Sequence, residues 1–418
     1  MEVEKESPIL RFGEFLNSWK KFRLDELALI SRGKFSPRPR NNPIYYNGNI
    51  PFVQTSDIVN SQGRVTKYSQ TLNEKGLSVS KLFPKGTILI TIAANIGYTG
   101  ILQLDMACPD SLIGIVCNSF VHNTFLNLRL QIEQPKMDYL AVAAAQKNIN
   151  LDFLNPYKFY LPSLSEQKKI ADFLSAVDER IDILTRKKEL IQQYKKGMLQ
   201  QLFPRKGETT PQLRFKPDRP NGGADDGSEF PDWEEKKLGE IAKFSKGKGI
   251  SKKDVIAEGS QLCVRYGELY TMYNEQIKKV FSKTTFSEDL VLSEGNEVLI
   301  PSSGETAIDI ATASCVTIPN VALGGDINII KSDMNGVFLA LLIRGASKID
   351  LARKAQGISV VHLYAKHISE LQIKTPSLPE QIMIADFLST IDEQIETVTA
   401  QIDHMKTWKR GLLQKMFV

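Results

Sequence analysis

The stretch LPSLSEQKKIADFLSAVDERIDILTRKKELIQQYKKGMLQQLF, residues 161–203, returns as TPSLPEQIMIADFLSTIDEQIETVTAQIDHMKTWKRGLLQKMF at residues 375–417. A displacement of 214 positions lays Pro162 on Pro376 and Phe203 on Phe417 without a gap, and about 20 of the 42 positions agree. Each copy reads as one long helix. Steps of four and three select Ile170, Leu174, Val177, Ile181, Leu184, Lys188, Ile191, Lys195, Met198 and Leu202 in the first copy. In the second they select Ile384, Leu388, Ile391, Ile395, Val398, Ile402, Met405, Lys409, Leu412 and Met416. A period of 3.5 residues held this long is the seam of a coiled coil. Ser163 with Glu166, and Ser377 with Glu380, have capping-box spacing, and Pro204 stops the first copy. The natural partner of the first helix is the second, antiparallel, because the globule between them lets the chain return. At ~1.5 Å per residue, each helix is a rod of about 60 Å.

The same displacement holds further out. Trp19-Lys-Lys-Phe-Arg-Leu24 faces Trp233-Glu-Glu-Lys-Lys-Leu238, and Gly33-Lys34 faces Gly247-Lys248. With a slightly shorter displacement, Phe52-Val-Gln-Thr-Ser-Asp-Ile58 matches Cys263-Val-Arg-Tyr-Gly-Glu-Leu269. The chain is therefore a tandem duplication of a variable globule followed by a near-constant helix. The boundaries read 1–161 and 233–375 for the globules, 162–204 and 376–418 for the helices, and 205–232 for a Pro/Gly-rich linker. Short β-rich runs (Ile50 to Val53, Thr87 to Ile92, Val298 to Ile300, Ile327 to Ile330) alternate with helical ones (Met137 to Gln146, Val337 to Arg344), so each globule reads as mixed α/β. The expected fold class is α/β plus coiled coil, pseudo-two-fold, with two globules separated by an antiparallel pair of long helices.

The 418 residues are 42% hydrophobic and 24% charged, a globular rather than disordered balance. No apolar run reaches the ~18 residues of a membrane span and the start MEVEKESP lacks signal-peptide character, so a cytoplasmic location and no membrane partner are expected. Cys108, Cys117, Cys263 and Cys315 contain no CxxC, and the four histidines share no ligand spacing with carboxylates, which argues against a disulfide framework, a metal site or a triad. Phosphate-loop and dinucleotide glycine motifs are absent. Asn155-Pro156-Tyr157 lacks the second proline of an amino-methyltransferase motif, and the acids of Pro231-Asp232-Trp233-Glu-Glu-Lys-Lys237 are too crowded for a nuclease core. No catalytic or metal residue is assigned.

The net charge of +5 hides two basic segments at corresponding places. Arg32, Lys34, Arg38 and Arg40 lie in the first, and Lys246, Lys248, Lys252 and Lys253 in the second; both suit phosphate contacts. Gln54 and Arg265 occupy equivalent positions just after a strand. Glutamine pairs bidentately with adenine N6/N7 and arginine with guanine O6/N7. Thr55, Ser56, Tyr45 and Tyr46 join Gln54, and Tyr266 and Tyr270 join Arg265, as candidate base or sugar contacts. Asn95 in one further loop, and Ser302 and Ser303 in its counterpart, complete the candidate interface.

The repeated motif P-[LS]-x-EQ-x-x-I-A-x-F-L, PSLSEQKKIADFL at 162–174 and PSLPEQIMIADFL at 376–388, together with the two variable globules, resembles the specificity subunit of type I restriction-modification enzymes over nearly the whole chain. The resemblance implies two target recognition domains, each reading half of a bipartite double-stranded DNA site, and a coiled coil that sets the spacer. It implies two modification (adenine N6 methyltransferase) subunits docked on the helices, with two restriction subunits added for ATP-driven cleavage. S-adenosylmethionine, ATP and Mg then belong to those partners, this chain binds no cofactor, and it is not itself an enzyme. Identical residues off the seam, Glu166, Gln167, Asp178 and Glu179 with Glu380, Gln381, Asp392 and Glu393, are the expected partner contacts. The alternative reading is a free-standing coiled-coil DNA-binding protein of architectural or regulatory type.

Overall fold

A computed structural model describes residues 8–37, 39–143, 148–205, 207–217, 229–285, 287–357 and 360–417. Four of its helices exceed two turns: α1 Asn123–Ala143, α2 Leu164–Leu202, α3 Gly336–Arg344 and α4 Leu378–Phe417. The expected strands form, and the helix expected from Met137 begins earlier, at Asn123, with Pro135 inside it. The chain divides into two compact units, Met1–Leu184 with Gln401–Val418, and Thr185–Ala400. Each unit thus holds one globule, the first half of its own long helix and the last turns of the other repeat's.

In the first unit, Lys20–Arg23 pairs antiparallel with Lys158–Leu161. Five strands follow in the order Ala28–Arg32, Leu112–Cys117, Ile88–Thr91, Thr99–Leu102 and Arg64–Val65. The second unit repeats the plan: Glu234–Lys237 pairs with Gln372–Thr375, and five strands run Ala242–Lys246, Ile327–Ser332, Glu297–Pro301, Ser314–Val316 and Gln276–Ile277. In both, the last strand is the only parallel neighbour in its five-stranded sheet among the described residues. The near-continuous apolar runs at Ile88–Thr91 and Glu297–Pro301 are central strands, buried along their whole length, as runs without polar alternation must be. A Cβ on Gly33 would lie 2.1 Å from the Pro109 carbonyl oxygen, and one on Gly247 2.0 Å from that of Gly324. The matched Gly-Lys pairs exist because backbone passes against backbone there.

A smaller sheet flanks each. In the first unit its order is Gln70–Leu72, Tyr46–Phe52, Met106–Cys108, Lys81–Phe83; in the second it is Ser282–Thr284, Gln261–Val264, Ala322–Leu323.

The seam expected of the helices is buried where each unit encloses it. Ile170, Leu174, Val177, Ile181 and Leu184 are buried, as are Ile384, Leu388, Ile391, Val398 and Ile402; Ile191 and Ile395 are half-buried. The pairing is antiparallel. In the first unit Lys409 binds Asp178 at 2.6 Å, and in the second Lys195 binds Asp392 at 2.8 Å, so the partner moves down one helix as the position moves up the other. Lys195 and Lys409, like Lys188, interrupt the apolar seam and are half-buried, and a paired polar residue at a seam position fixes register. The ends of the helices are held by one aromatic trio in each unit. Phe417 packs on Trp19 and Phe125 at ring distances of 6.3 and 5.1 Å, and Phe203 packs on Trp233 and Phe338 at 6.2 and 5.5 Å.

The capping boxes do not form as expected. Ser163 Oγ accepts from Glu166 N at 3.4 Å, but the Glu166 carboxylate turns to Arg11 and Trp19, and Ser377 Oγ is buried without a partner among the described residues. The glutamates serve a second internal repeat instead. Pro8-Ile-Leu-Arg-Phe12 and Pro211-Gln-Leu-Arg-Phe215 form the same strap. Arg11 grips Glu166 through two bonds of 2.6 and 2.7 Å, and Arg214 grips Glu380 through 3.0 and 2.7 Å. Leu10 N donates to Lys415 O and Leu213 N to Gln201 O, while Phe12 and Phe215 pack on Phe173 and Phe387. The linker expected at 205–232 is therefore pinned at 211–215; residues 218–228 lie outside the described residues.

Candidate nucleic-acid interface

Gln54 and Arg265 stand in the same local structure. Each follows a strand of the smaller sheet, Tyr46–Phe52 or Gln261–Val264, and leads into a short helix, Thr55–Val59 or Glu268–Thr271. In each an acid three residues on accepts from the backbone: Gln54 N donates to Asp57 Oδ2 at 2.8 Å and Arg265 N to Glu268 Oε2 at 3.0 Å. A carboxylate so placed satisfies a free amide at the helix start and fixes the preceding residue.

The side chains are then aimed from across the sheet. Gln54 Nε2 donates to Gln70 Oε1 at 3.0 Å, and Gln70 is the cross-strand neighbour of Phe52. The matching neighbour of Cys263 is Ser282. Its hydroxyl donates to Glu268 Oε1 at 2.6 Å, and the same oxygen accepts from Arg265 Nη2 at 3.1 Å. Arg265 is half-buried: the buried Glu268 carboxylate holds its Nη2, and its buried Nε has no partner among the described residues. Thr55 Oγ1 is engaged with Ser111, and Ser56 is exposed.

A cleft of about 420 Å³ opens beside Gln70, lined by Asn41, Pro43, Tyr46, Asn47, Tyr68, Ser69, Gln70 and Thr71. Gln70, Asn41, Asn47 and Tyr68 are not among the residues that sequence reasoning selects, because a cross-strand neighbour is fixed by register, which no local motif announces.

The basic segments divide. Lys34, Lys246, Lys252 and Lys253 are exposed. Arg32 donates to the Asp110 carbonyl, Arg40 forms an ion pair with the Asp110 carboxylate at 2.6 Å, and Lys248 pairs with Asp289 at 3.0 Å. Arg38 lies outside the described residues. Tyr46 donates to the Arg40 carbonyl and Tyr45 packs edge-on to Phe35, so both tyrosines shape the loop. Tyr270 is exposed beside Tyr266 at a ring distance of 6.4 Å. Asn95 is exposed in its turn.

Some expectations are corrected. Ser302 is 5% exposed, and its backbone is engaged by Asp326 and Leu363, so it offers no base contact; Ser303 is half-buried in a two-residue strand paired with His362. Glu166, Gln167, Glu380 and Gln381 are buried and cannot meet a partner. The glutamines tie the helix starts to their globules: Gln167 accepts from His122 N and donates to Pro162 O, and Gln381 does the same with Asn335 N and Pro376 O. Asp178 and Asp392 are engaged by the seam lysines. Glu179 and Glu393 remain exposed, the latter paired with Lys278 at 2.5 Å. Burial pushes the Cys263 thiol up to about 11 and those of Cys117 and Cys315 up to about 12, which disfavours the thiolate at neutral pH. No helix among the described residues is long and apolar enough to cross a membrane.

The two units share one plan, in which a half-buried polar side chain after a strand is held by its neighbours, and comparison with known proteins gives the family. The type I restriction modification DNA specificity domain matches residues 17–193 and 231–406, and the chain belongs to that family, carrying its domain twice. It is similar to the type I restriction enzyme MjaIX specificity subunit of Methanocaldococcus jannaschii, at 21% identity over 97% of this chain and 94% of that protein. It is also similar to the putative type I restriction enzyme MjaX specificity subunit of the same organism, at 24% identity over 96% of this chain and 93% of that one. The crystal structure of the type I restriction-modification S subunit from M. genitalium shares the fold with a TM-score of 0.60, 18% identity and 99% of both chains covered. A chain from a study of complex assembly and conformational transition in the type I R-M system shares it with a TM-score of 0.54 and 16% identity, over 97% of this chain and 98% of that one.

Proposed function

We propose that each unit reads one half of a bipartite double-stranded DNA site, and that the helix pair sets the spacer and docks two modification subunits. The carrying observation is the repeated reader with a diverged side chain: Gln54 steadied by Gln70, and Arg265 steadied by Glu268 and Ser282. A side chain locked by its neighbours recognises a base edge at low entropic cost, and amide and guanidinium suit different bases, adenine and guanine. Exposed Lys34, Lys246, Lys252 and Lys253 supply phosphate contacts that position the protein without reading sequence.

The chain itself performs no chemistry in this reading. S-adenosylmethionine is held by the modification subunits, and ATP and Mg by the restriction subunits that join them. Docking falls to exposed apolar positions of the helices rather than to the buried Glu-Gln pairs; Leu190 with Tyr194 on α2, and Leu378 with Ile382 on α4, are each one turn apart and exposed. The free-standing architectural reading, in which the coil mediates self-association, does not explain the family match. Exchange of residues 1–161 for the corresponding globule of another family member, followed by mapping of methylated adenines with modification subunits present, tests the proposal. One half-site changes and the other stays; a change in both halves would overturn it.

A further inference from the structure

The two units differ at the edge of their five-stranded sheets. In the second unit the edge strand Gln276–Ile277 is tied to the long helices by three polar interactions. Lys195 binds Glu275 at 3.1 Å, Ser389 Oγ donates to Gln276 Oε1 at 3.2 Å, and Lys278 binds Glu393 at 2.5 Å. The matching edge strand of the first unit, Arg64–Val65, brings Gly63, Arg64 and Thr66 to those positions, and the helix residues that correspond by repeat are Lys409, Ser175 and Glu179. Here the ties give way to a cleft of about 1490 Å³. One wall carries Arg64, Lys67 and Lys85, and the helix wall carries Lys406 and Arg410; all five are exposed. The lining includes Asn127, 3% exposed, whose Oδ1 has no partner among the described residues and can accept from a water that bridges to an occupant of the cleft.

The geometry points to a phosphate-backbone site for duplex DNA in this cleft, with Arg64 and Lys67 on the globule and Lys406 and Arg410 on α4 gripping one strand. It rests on the reading proposed for Gln54. The helix that Gln54 starts, Thr55–Val59, ends on this cleft, whose lining includes Asp57, Asn60 and Ser61. A duplex read at one end of that short helix presents its backbone at the other. The same cations would attract an acidic protein segment; continuity with the helix that Gln54 starts favours DNA. The cleft also carries the exposed Asp182 and Asp403, against which the five cations leave the walls net positive, as a polyanionic backbone requires, while Asp178 is already engaged by Lys409.

The test uses the full-length chain assembled with modification subunits, and target and scrambled duplexes titrated across a salt series. The variant Arg64→Ala/Lys67→Ala/Lys406→Ala/Arg410→Ala is expected to weaken binding to both duplexes. It should also lower the slope of log affinity against log salt by about 3 to 4, at ~0.9 for each phosphate no longer neutralised. The methylated sequence stays the same. An unchanged slope with the sequence preference intact overturns the site, as does an unchanged slope accompanied by dissociation of modification subunits from the complex, which would make the occupant a protein. The underlying reading is checked separately: Gln54→Ala leaving the preference untouched sinks that reading, whatever the slope does.

Discussion

Arg265 and Gln54, the proposed recognition residues, show how little such a residue reveals of itself in sequence and how much its neighbours decide. Their equivalence is legible from the matched segments, because strand and capping acid are local. Their buttresses are not, since Gln70 and Ser282 reach them by sheet register. With Glu268 holding one edge of its guanidinium, Arg265→Ala is predicted to remove about 1 to 3 kcal/mol of discrimination at one base pair. Competition binding with single-substituted duplexes measures this; an equal weakening on every duplex would reduce Arg265 to a phosphate-binding role. The same scale explains why Glu166 and Glu380 do not cap their helices. Ser-x-x-Glu at a helix start reads as a capping box, but a cation from a distant segment attracts the carboxylate more strongly than the local amide does. Arg214→Ala leaves the Glu380 carboxylate, fully buried, without its cation and should cost about 3 kcal/mol in denaturant unfolding of the full chain. Lys248→Ala, which breaks a pair exposed to water on both sides, should cost less than about 1 kcal/mol.

At the scale of elements, the long helices are the most legible part of the chain, because a 3.5-residue period over some ten turns has no other physical outcome. Antiparallel pairing follows from the length of chain between the copies, and the seam lysines give it a specific register. The straps are harder to find although Pro-x-Leu-Arg-Phe is written twice, because their displacement differs from that of the helices. If the helix pair is the ruler, removing one heptad in register from each helix shortens the spacer. Seven residues at ~1.5 Å amount to about 10 Å, or roughly 3 base pairs. Methylation mapping of that variant should return the same half-sites closer together; an unchanged spacer would remove the ruler from the account.

For the whole molecule, the duplication is the central physical fact. Each unit closes over the last turns of the helix belonging to the other repeat, through the same aromatic trio and the same arginine strap. Neither globule is complete without chain from the other half, while the residues proposed to read DNA have diverged. Repeated packing with diverged readers is what an asymmetric bipartite target asks of a duplicated protein. The most direct test is a genome-wide map of N6-methyladenine in cells expressing this chain with modification subunits, compared with cells expressing either alone. The account predicts one bipartite motif with a fixed unspecified spacer, present only when both are expressed. Methylation by this chain alone, or a single contiguous motif, would contradict it.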